Sequence, residues 1–266
     1  MSFEIQKKRE VSIPKSVKNE DGSYENGGAR KRDSEKLARL LQRLLDHYGS
    51  QNWWPAHSRM EMIVGAVLVQ NTAWNNAELA LKNLRRAKKL SMGALRLVTR
   101  DELEMLVRPS GVFRQKAERI KRFVAHVDER YGGSLTRMFA RPLEELRAEL
   151  LTLHGFGPET VDSILLYAGQ KPVFIVDAYA RRVLERHGLA LPKEPYEAIR
   201  ARVEEAAKKL RAPGKAGEAM HRATRLSRAK KSPLAITLNE LHAVFVRAGI
   251  DLAAKRGIVG SGLWDD

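Results

Sequence analysis

The chain has 266 residues, of which 43% are hydrophobic and 30% are charged, and its formal net charge at pH 7 is +16. These values are typical of a globular protein with one or two domains, and because no apolar run approaches the ~20 residues that span a bilayer, we expect no membrane span. The chain contains no cysteine, which excludes disulfides, thiolate zinc sites and iron–sulfur clusters. Its positive charge favours a partner rich in phosphate, such as DNA or RNA, or an acidic membrane surface.

Residues 1–32 mix charged residues and glycines with few large apolar side chains, which predicts a flexible tail. The tail has neither the apolar segment of a signal peptide nor the low acidity of a transit peptide, so we expect a cytoplasmic, nucleoid-associated protein. From Ser34 onward, leucines recur at helical spacing as far as Tyr48, and Gly49 follows as a stop signal.

Similar apolar patterns predict helices over about 58–70, 75–88, 113–131 and 178–187, and Pro142 is typical of the first turn of another. Only Val173 to Val176 resembles a strand. Because it is short and lies just before a helical pattern, we interpret it as a buried connector. Helix follows helix with short polar joints, so the sequence predicts an all-α fold.

Residues 213–233 are rich in glycine, lysine and arginine. This composition predicts a basic surface insertion, and a solvated loop that only adds solubility remains an equal alternative.

The segment Leu151 to Thr160 reads LTLHGFGPET and lies between two helical patterns. Gly155 and Gly157 permit a tight turn with positive φ and let a phosphate approach the backbone closely. Pro158 suits the first position of a helix, whose positive end would then point at the occupant of the turn. An ordinary joint between two helices has the same pattern, so this segment alone does not identify a function.

The hairpin indicates a function only together with a second motif. Asp177 stands 18 residues after Glu159, behind an apolar run and at the start of a helix. In this arrangement the chain resembles the endonuclease III superfamily of helix-hairpin-helix DNA glycosylases, which carry their catalytic aspartate there. Gly65 to Thr72 resembles the early helix of that family, which ends in a glutamine that enters the DNA stack, here Gln70. Leu241 to Lys255 resembles the helix that precedes the family's cluster loop.

Two departures indicate the branch of that superfamily. Glu159 occupies the position where bifunctional members have a Schiff-base lysine, and no cysteine quartet follows Lys255. The chain is most similar to the 3-methyladenine DNA glycosylase III branch, which has a Trp-Trp-Pro before the early helix and an aromatic residue after its Gln-Asn-Thr. The matching residues here are Trp53, Trp54, Pro55 and Trp74.

The resemblance implies two helical lobes, one formed by 60–172 with the hairpin and the other by 33–59 and 173–266, with the active site in the cleft between them. It implies double-stranded DNA with damaged bases as the partner, bound by a monomer. The implied DNA contacts are Gln70, Gly155, Phe156, Gly157, Glu159 and Thr160. The main-chain carbonyls of Leu151, Leu153 and Phe156 are implied ligands of a monovalent cation, Na⁺ or K⁺, and no other cofactor is expected.

The implied reaction passes through a transition state with oxocarbenium character, so it needs a negative charge beneath the sugar and a positioned water. Asp177 can supply both, although an aspartate before a helix is otherwise an ordinary N-cap. Without a nucleophilic amine no Schiff base forms, so we expect a monofunctional enzyme that leaves abasic sites. Glu159 is predicted to be a carboxylate stabilised by the helix dipole rather than a second catalytic acid.

Alkylated purines are cationic and leave readily, so recognition becomes the harder task, and tryptophan faces suit a flipped cationic base. We therefore predict that Trp53, Trp54 and Trp74 line the base pocket, while a hydrophobic plug over the core is the alternative interpretation. Lys255 lies near the position of a C-terminal lysine in this branch, but 213–233 makes that alignment uncertain, so Lys255 is left out of the predicted catalytic set.

Three other functions remain open from the sequence. One is a DNA-binding module without catalysis, in which Asp177 only caps a helix. Another is a bifunctional glycosylase and lyase for oxidised pyrimidines, with its amine supplied elsewhere. The third is a structural or RNA-binding role based on charge alone. The preferred base among alkylated and deaminated purines depends on pocket shape, which residue types do not specify.

Overall fold

The computed structural model describes the backbone of residues 26–211, 219–229 and 231–254, and the side chains from residue 32 onward. Over these ranges the chain is helical with irregular connections and contains no β-strand, which confirms the all-α prediction. Within the same ranges no helix combines the length and the apolar composition needed to cross a bilayer. The predicted tail over 1–25, residues 213–218 and 230 of the predicted insertion, and Lys255 lie outside the described residues.

The α-helices of the described ranges are α1 (Asn26–Tyr48), α2 (Arg59–Leu68), α3 (Trp74–Arg86), α4 (Met92–Leu97), α5 (Arg100–Val107), α6 (Phe113–Tyr131), α7 (Leu135–Ala140), α8 (Leu143–Leu151), α9 (Pro158–Ser163), α10 (Ala178–Arg186), α11 (Tyr196–Ala207) and α12 (Pro233–Ala253). A short 3-10 helix, Arg108–Ser110, follows α5, and a π-helical turn, Ile164–Ala168, continues α9.

The long helices agree with the sequence patterns except at three ends. α1 begins at Asn26, so residues 26–32, which the sequence assigned to the tail, are helical. Residues 29–32 are alanine, arginine and lysine, which favour helix, and a nucleated helix elongates at little cost even through the less favourable Gly27 and Gly28. Pro142 is the cap before α8 rather than its first residue. α12 begins at Pro233, eight residues before Leu241, and is capped by Ser232.

α12 lies at the centre of one group of helices, because α1, α10 and α11 all pack against it. α1 also packs against α11, and the π-helical turn connects this group to α2 by contacting both α12 and α2. Gly249 allows the tight approach of α10 to α12, because a Cβ at this position would lie 2.5 Å from Cδ1 of Tyr179. The lobe boundaries at 59/60 and 172/173 stay a prediction.

The connector before α10 is buried, as the sequence predicted, and side chains from α11 hold it. Val173 to Val176 are buried and have no regular secondary structure. The amide of Phe174 donates to Oε1 of Glu204 at 2.9 Å, and the amide of Val176 donates to the hydroxyl of Tyr196 at 3.3 Å. These bonds fix the backbone that leads into Asp177.

Candidate active site

The hairpin turn joins the end of α8 to the start of α9, where Pro158 is the first residue of the helix, as predicted. Gly155 has a φ of +90°, and a Cβ there would overlap the side chain of Arg119. Gly157 has a φ of −84°, so the predicted positive φ is wrong for this glycine. A Cβ at Gly157 would meet nothing within 4 Å. Glycine is a favourable N-cap residue, but neither a positive φ nor crowding requires it at the N-cap of α9.

Phe156, between the two glycines, faces the protein interior. It is buried, and its ring stacks on Phe123 with the ring centroids 6.0 Å apart. Its amide donates to the carbonyl of Leu153 at 3.0 Å. A ligand in the hairpin would therefore contact the main chain of Phe156 rather than its ring, and the carbonyl of Leu153 keeps one free lone pair.

Gln70 lies directly beside the hairpin. Its Nε2 donates to the carbonyl of Gly155 at 3.2 Å and to Oγ1 of Thr160 at 2.7 Å, and its Oε1 accepts from Arg119. Gln70 therefore braces the turn in this structure. To enter a DNA stack, it would have to exchange these hydrogen bonds for contacts with DNA.

Asp177 is the N-cap of α10. Its Oδ1 accepts a hydrogen bond of 2.7 Å from the amide of Ala180. Its Oδ2 lies 3.5 Å from Nε2 of His242, and 13% of its side chain is exposed. Capping thus occupies one carboxylate oxygen and leaves the other beside the imidazole, so the structural and the chemical interpretations of this aspartate are compatible.

Glu159 is exposed to solvent, although protein surrounds it on most sides. This burial, together with the negative charge of Asp177, raises the pKa of Glu159, while His242 acts in the opposite direction. The net effect is opposite to the stabilisation by the helix dipole that the sequence predicted. Glu159 therefore lies close enough to Asp177 to feel its negative charge.

The three predicted tryptophans contact one another, with ring centroids 5.1 Å apart for Trp53 and Trp54, 5.4 Å for Trp53 and Trp74, and 5.3 Å for Trp54 and Trp74. Trp53 and Trp54 are buried, whereas Trp74 and Pro55 are half-buried. Burial of the first two agrees with the hydrophobic-plug interpretation. We call these three rings the tryptophan cluster.

Further rings connect the tryptophan cluster to Asp177. The ring of Trp54 lies 5.5 Å from that of Tyr167, and Tyr167 lies 5.7 Å from His242, measured between centroids. His242 in turn is the neighbour of Asp177. A continuous path of aromatic rings therefore runs from the half-exposed Trp74 to the predicted catalytic carboxylate.

Part of the predicted basic insertion, residues 219–229, lies against the tryptophan cluster. The His221 ring is 5.0 Å from Trp53, the Asn52 side-chain amide donates to the His221 carbonyl at 3.1 Å, and the Met220 amide donates to Oε1 of Gln51 at 3.3 Å. Burial lowers the pKa of His221, against an opposite effect of Glu78, so its ring is neutral at pH 7. This segment is more than a solvated loop.

Val112 is a candidate that the sequence did not indicate. It is 58% exposed and has a φ of +44°, which is strained for a β-branched residue. Nζ of Lys116 donates to the carbonyls of Ser110 at 2.6 Å and Leu68 at 2.8 Å, so this turn lies beside the end of α2 and Gln70. Burial, with a smaller contribution from Arg119, lowers the pKa of Lys116 to about 8.

The other residues that sequence reasoning missed are His221, Tyr167, His242, Arg119 and Arg122, the last of which donates to the carbonyl of His154 at 3.1 Å. Each contacts a predicted residue or the hairpin from a distant part of the chain, and no local pattern marks them. Gly111 before Val112 is the one signal that could have drawn attention to an exposed turn.

Comparison with known proteins places this site in a family. The model of the HhH-GPD superfamily of base excision DNA repair proteins matches residues 64–209, which include Gln70, the hairpin and Asp177. A Methanocaldococcus jannaschii protein, provisionally named a DNA repair glycosylase, is 43% identical over 169 residues, or 62% of this chain and 76% of its own. Endonuclease III of Thermotoga maritima is 32% identical over 149 residues, or 56% and 63%.

Solved structures resemble the chain over a greater length. The H. pylori 3-methyladenine DNA glycosylase bound to 1,N6-ethenoadenine has a TM-score of 0.64 and 25% identity, and the match covers 84% of this chain and 98% of that one. An endonuclease III–DNA complex has a TM-score of 0.61 at 17% identity, covering 88% and 92%, which shows a similar fold. The family predicted from the hairpin and its aspartate is confirmed: the chain belongs to the HhH-GPD superfamily of base excision DNA repair proteins.

Proposed function

We propose that this protein is a monofunctional DNA glycosylase that excises alkylated purines, such as 3-methyladenine, from double-stranded DNA by hydrolysing the N-glycosidic bond. The observation that carries the proposal is the path of aromatic rings from Trp74 to His242, because it joins stacking surfaces to the carboxylate of Asp177. Membership of a base excision repair family and the likeness to a 3-methyladenine glycosylase support it.

The hairpin is the proposed anchor for a DNA phosphate. The open space in front of Gly157 lies at the N-terminus of α9, where main-chain N–H groups and the helix dipole favour an anion. The carbonyls of Leu151, Leu153 and Phe156 are oxygen donors that suit Na⁺ or K⁺, and the free lone pair of Leu153 is consistent with such a ligand set. A bound ion would supply positive charge beside the phosphate.

Val112 and Gln70 are the proposed contacts inside the duplex. An apolar side chain on an exposed turn can act as a wedge between base pairs, and unstacking then costs a few kcal/mol per step. Gln70 would occupy the space left by the flipped base. Because Lys116 ties the two turns together, the wedge and the glutamine would enter DNA as one unit.

Asp177 is the proposed catalytic residue. Its carboxylate would stabilise the positive charge that develops on the sugar as the base leaves, and would orient the water that attacks C1′. The amide of Ala180 holds Oδ1 in place, so the carboxylate needs little reorganisation when the sugar arrives. The water's proton would pass to a carboxylate or to solvent, and the base would depart with its electron pair.

The preference for alkylated purines follows from the aromatic surfaces. The tryptophan cluster is closed, with its rings in mutual contact, so a flipped base would stack on the open face of Trp74 rather than between the tryptophans. Cation–π attraction to an indole is worth roughly 0.5–2 kcal/mol. His221, being neutral at pH 7, adds no repulsion against a cationic base.

Glu159 supports the monofunctional assignment. A carboxyl group cannot form a Schiff base with the sugar, so strand cleavage by β-elimination has no nucleophile at this position. The same residue also brings a second carboxyl group close to Asp177, and the two together favour a positively charged sugar in the cleft.

The test is mass identification of the bases released from duplex DNA treated with dimethyl sulfate, with Asp177→Asn as the control variant. We expect methylpurine release by the natural protein and a large loss in the variant. Release of no base from alkylated, deaminated or oxidised DNA would instead favour a DNA-binding module without catalysis. In parallel, a covalent adduct trapped by borohydride on abasic or thymine-glycol DNA would contradict the monofunctional assignment.

A further inference from the structure

Three side chains from different elements form a line of close polar contacts that ends at the proposed catalytic carboxylate. The hydroxyl of Tyr167, in the π-helical turn, lies 2.5 Å from Nδ1 of His242 in α12. Nε2 of His242 then lies 3.5 Å from Oδ2 of Asp177. Tyr167 and His242 are both buried. The imidazole therefore has one partner on each ring nitrogen.

The tyrosine decides which nitrogen of His242 carries the proton. Burial, with the negative charges of Glu240 and Asp177, raises the pKa of Tyr167 well above its usual value, so its phenol keeps its proton. A buried hydroxyl group needs an acceptor, and Nδ1 of His242 is within hydrogen-bonding distance. When Nδ1 accepts, the neutral ring carries its proton on Nε2. That N–H group faces the carboxylate of Asp177.

The opposite tautomer would disturb the site. A proton on Nδ1 would direct the lone pair of Nε2 at an anionic oxygen, which is repulsive. The groups that face His242 are Tyr167, Asp177 and Glu159. Because a neutral imidazole that donates from Nε2 orients Asp177 without cancelling its charge, the carboxylate remains available to a cationic sugar.

We propose that His242 is a positioning residue for Asp177 and that Tyr167 is the residue that fixes its tautomer. This inference rests on the proposed glycosylase function. The amide of Ala180 donates a hydrogen bond to Oδ1, and Nε2 of the imidazole lies 3.5 Å from Oδ2, so each carboxylate oxygen has a polar neighbour within the protein. Tyr167 also packs on Trp54, with 5.5 Å between centroids. The same phenol thus links the tryptophan cluster to the orientation of Asp177.

The first test is spectroscopic and needs no DNA. Long-range ¹H–¹⁵N correlation spectra of protein labelled with ¹⁵N-histidine distinguish the two neutral tautomers, and the His242 signal is identified by its loss in His242→Gln. We expect the Nε2–H tautomer in the natural protein and a substantial Nδ1–H population in Tyr167→Phe. An Nδ1–H tautomer in the natural protein, or no change in Tyr167→Phe, would overturn the proposal.

The second test separates positioning from folding. The substrate is a duplex with one 7-methylguanine, and the readouts are the single-turnover excision rate and the Kd for the duplex. We expect His242→Leu to lower the rate by roughly 10–100-fold, as loss of an orienting partner does at other sites, with Kd changed less than about twofold. His242→Gln, which can place an amide N–H near the position of Nε2, should recover most of the rate.

The chain offers matched controls in a second tyrosine and histidine. Tyr131 and His126 both bind Glu149, at 2.7 Å and 2.8 Å, far from Asp177 along the chain. Tyr131→Phe and His126→Gln should leave the excision rate unchanged. Equal rates for His242→Leu and His242→Gln, or a loss in Kd alone, would contradict a positioning role. If the natural protein releases no base, the proposed function fails, and the tautomer spectra still decide whether Tyr167 fixes the tautomer of His242.

Discussion

Asp162 and Asp177 lie on either side of the same buried connector, and the protein treats their charges in opposite ways. Asp162 is fully buried and receives both Nε and NH2 of Arg147, at 2.7 Å and 3.1 Å, together with the hydroxyl of Tyr196 at 2.9 Å. Asp177 is partly exposed and is bound by the amide of Ala180 and faced by His242 at 3.5 Å. One carboxylate is paired with a buried arginine, and the other faces an imidazole.

The difference distinguishes an aspartate that stabilises the fold, Asp162, from the aspartate that the proposed reaction needs, Asp177. The Arg147–Asp162 pair connects α8 to α9, and Tyr196 extends the network to the amide of Val176, the residue before Asp177. A bidentate arginine would neutralise a catalytic carboxylate and weaken its attraction for a sugar cation. The structural network therefore ends one residue before the carboxylate that the proposed reaction needs.

The largest expected effect on stability is at Asp162. Asp162→Asn leaves the buried guanidinium of Arg147 without its bidentate partner and with the half-exposed Glu197, at 2.7 Å, as a counter-charge. We therefore expect the free energy of unfolding, measured by urea denaturation, to fall by about 3 kcal/mol, the lower end of the loss for a broken buried ion pair. Asp128→Asn is the matched control, because Arg96 also binds Asp128 through two nitrogens, but at the surface. Its expected loss is at most about 1 kcal/mol, and similar losses in both variants would remove the distinction between the two environments.

The two hairpin glycines give a second, smaller comparison. Gly155→Ala should destabilise the protein by roughly 1–3 kcal/mol, because φ is positive and the methyl group would overlap Arg119. Gly157→Ala, with a φ of −84° and open space, should change stability by less than about 1 kcal/mol, because the lower entropy of the unfolded chain is offset by the poorer N-cap that alanine provides. Gly157→Ala should nevertheless weaken the binding of duplex DNA, as measured by fluorescence anisotropy. Unchanged affinity in Gly157→Ala would contradict the proposed phosphate anchor.

The smallest expected effect concerns Glu159. Its raised pKa means that ionisation costs the folded state free energy, and this cost is present at pH values above the folded pKa and absent below the ordinary value near 4.3. Glu159→Gln should therefore raise stability at pH 8 by less than about 1 kcal/mol after solvent screening, with no gain below about pH 4. Glu144→Gln, in the first turn of α8, is the control and should give no such gain. A gain in stability that is independent of pH would show that the ionisation of Glu159 is not its cause.

Most of the fold was predictable because long amphipathic helices leave a strong period in the sequence. α6 has its predicted bounds, and α2, α3 and α10 agree within two residues at each end. The short helices α4 and α7 contain 6 residues each, too few turns to show a periodic face. The bounds of α1 could not be predicted because helix extension into a charged segment depends on the neighbouring nucleus rather than on apolar spacing.

The candidate site was predictable where its chemistry is local in sequence. The hairpin and Asp177 lie within one short stretch, so their spacing carries information. Tyr167 and His242 are 75 residues apart, and their contact exists only after α12 packs on the π-helical turn. Likewise, the sequence shows that residue 157 is glycine, but only the backbone geometry shows that its φ is negative and that the space in front of it is open.

The most direct measurement is the single-turnover rate of base release from a 7-methylguanine duplex by the natural protein and by Asp177→Asn. Asparagine caps helices as well as aspartate does, so both proteins should unfold at nearly the same urea concentration. We expect the variant to be slower by at least roughly 10²–10³-fold, the effect of removing one preorganised electrostatic group. Equal rates in the two proteins would show that Asp177 only caps α10 and would contradict the assignment of the active site.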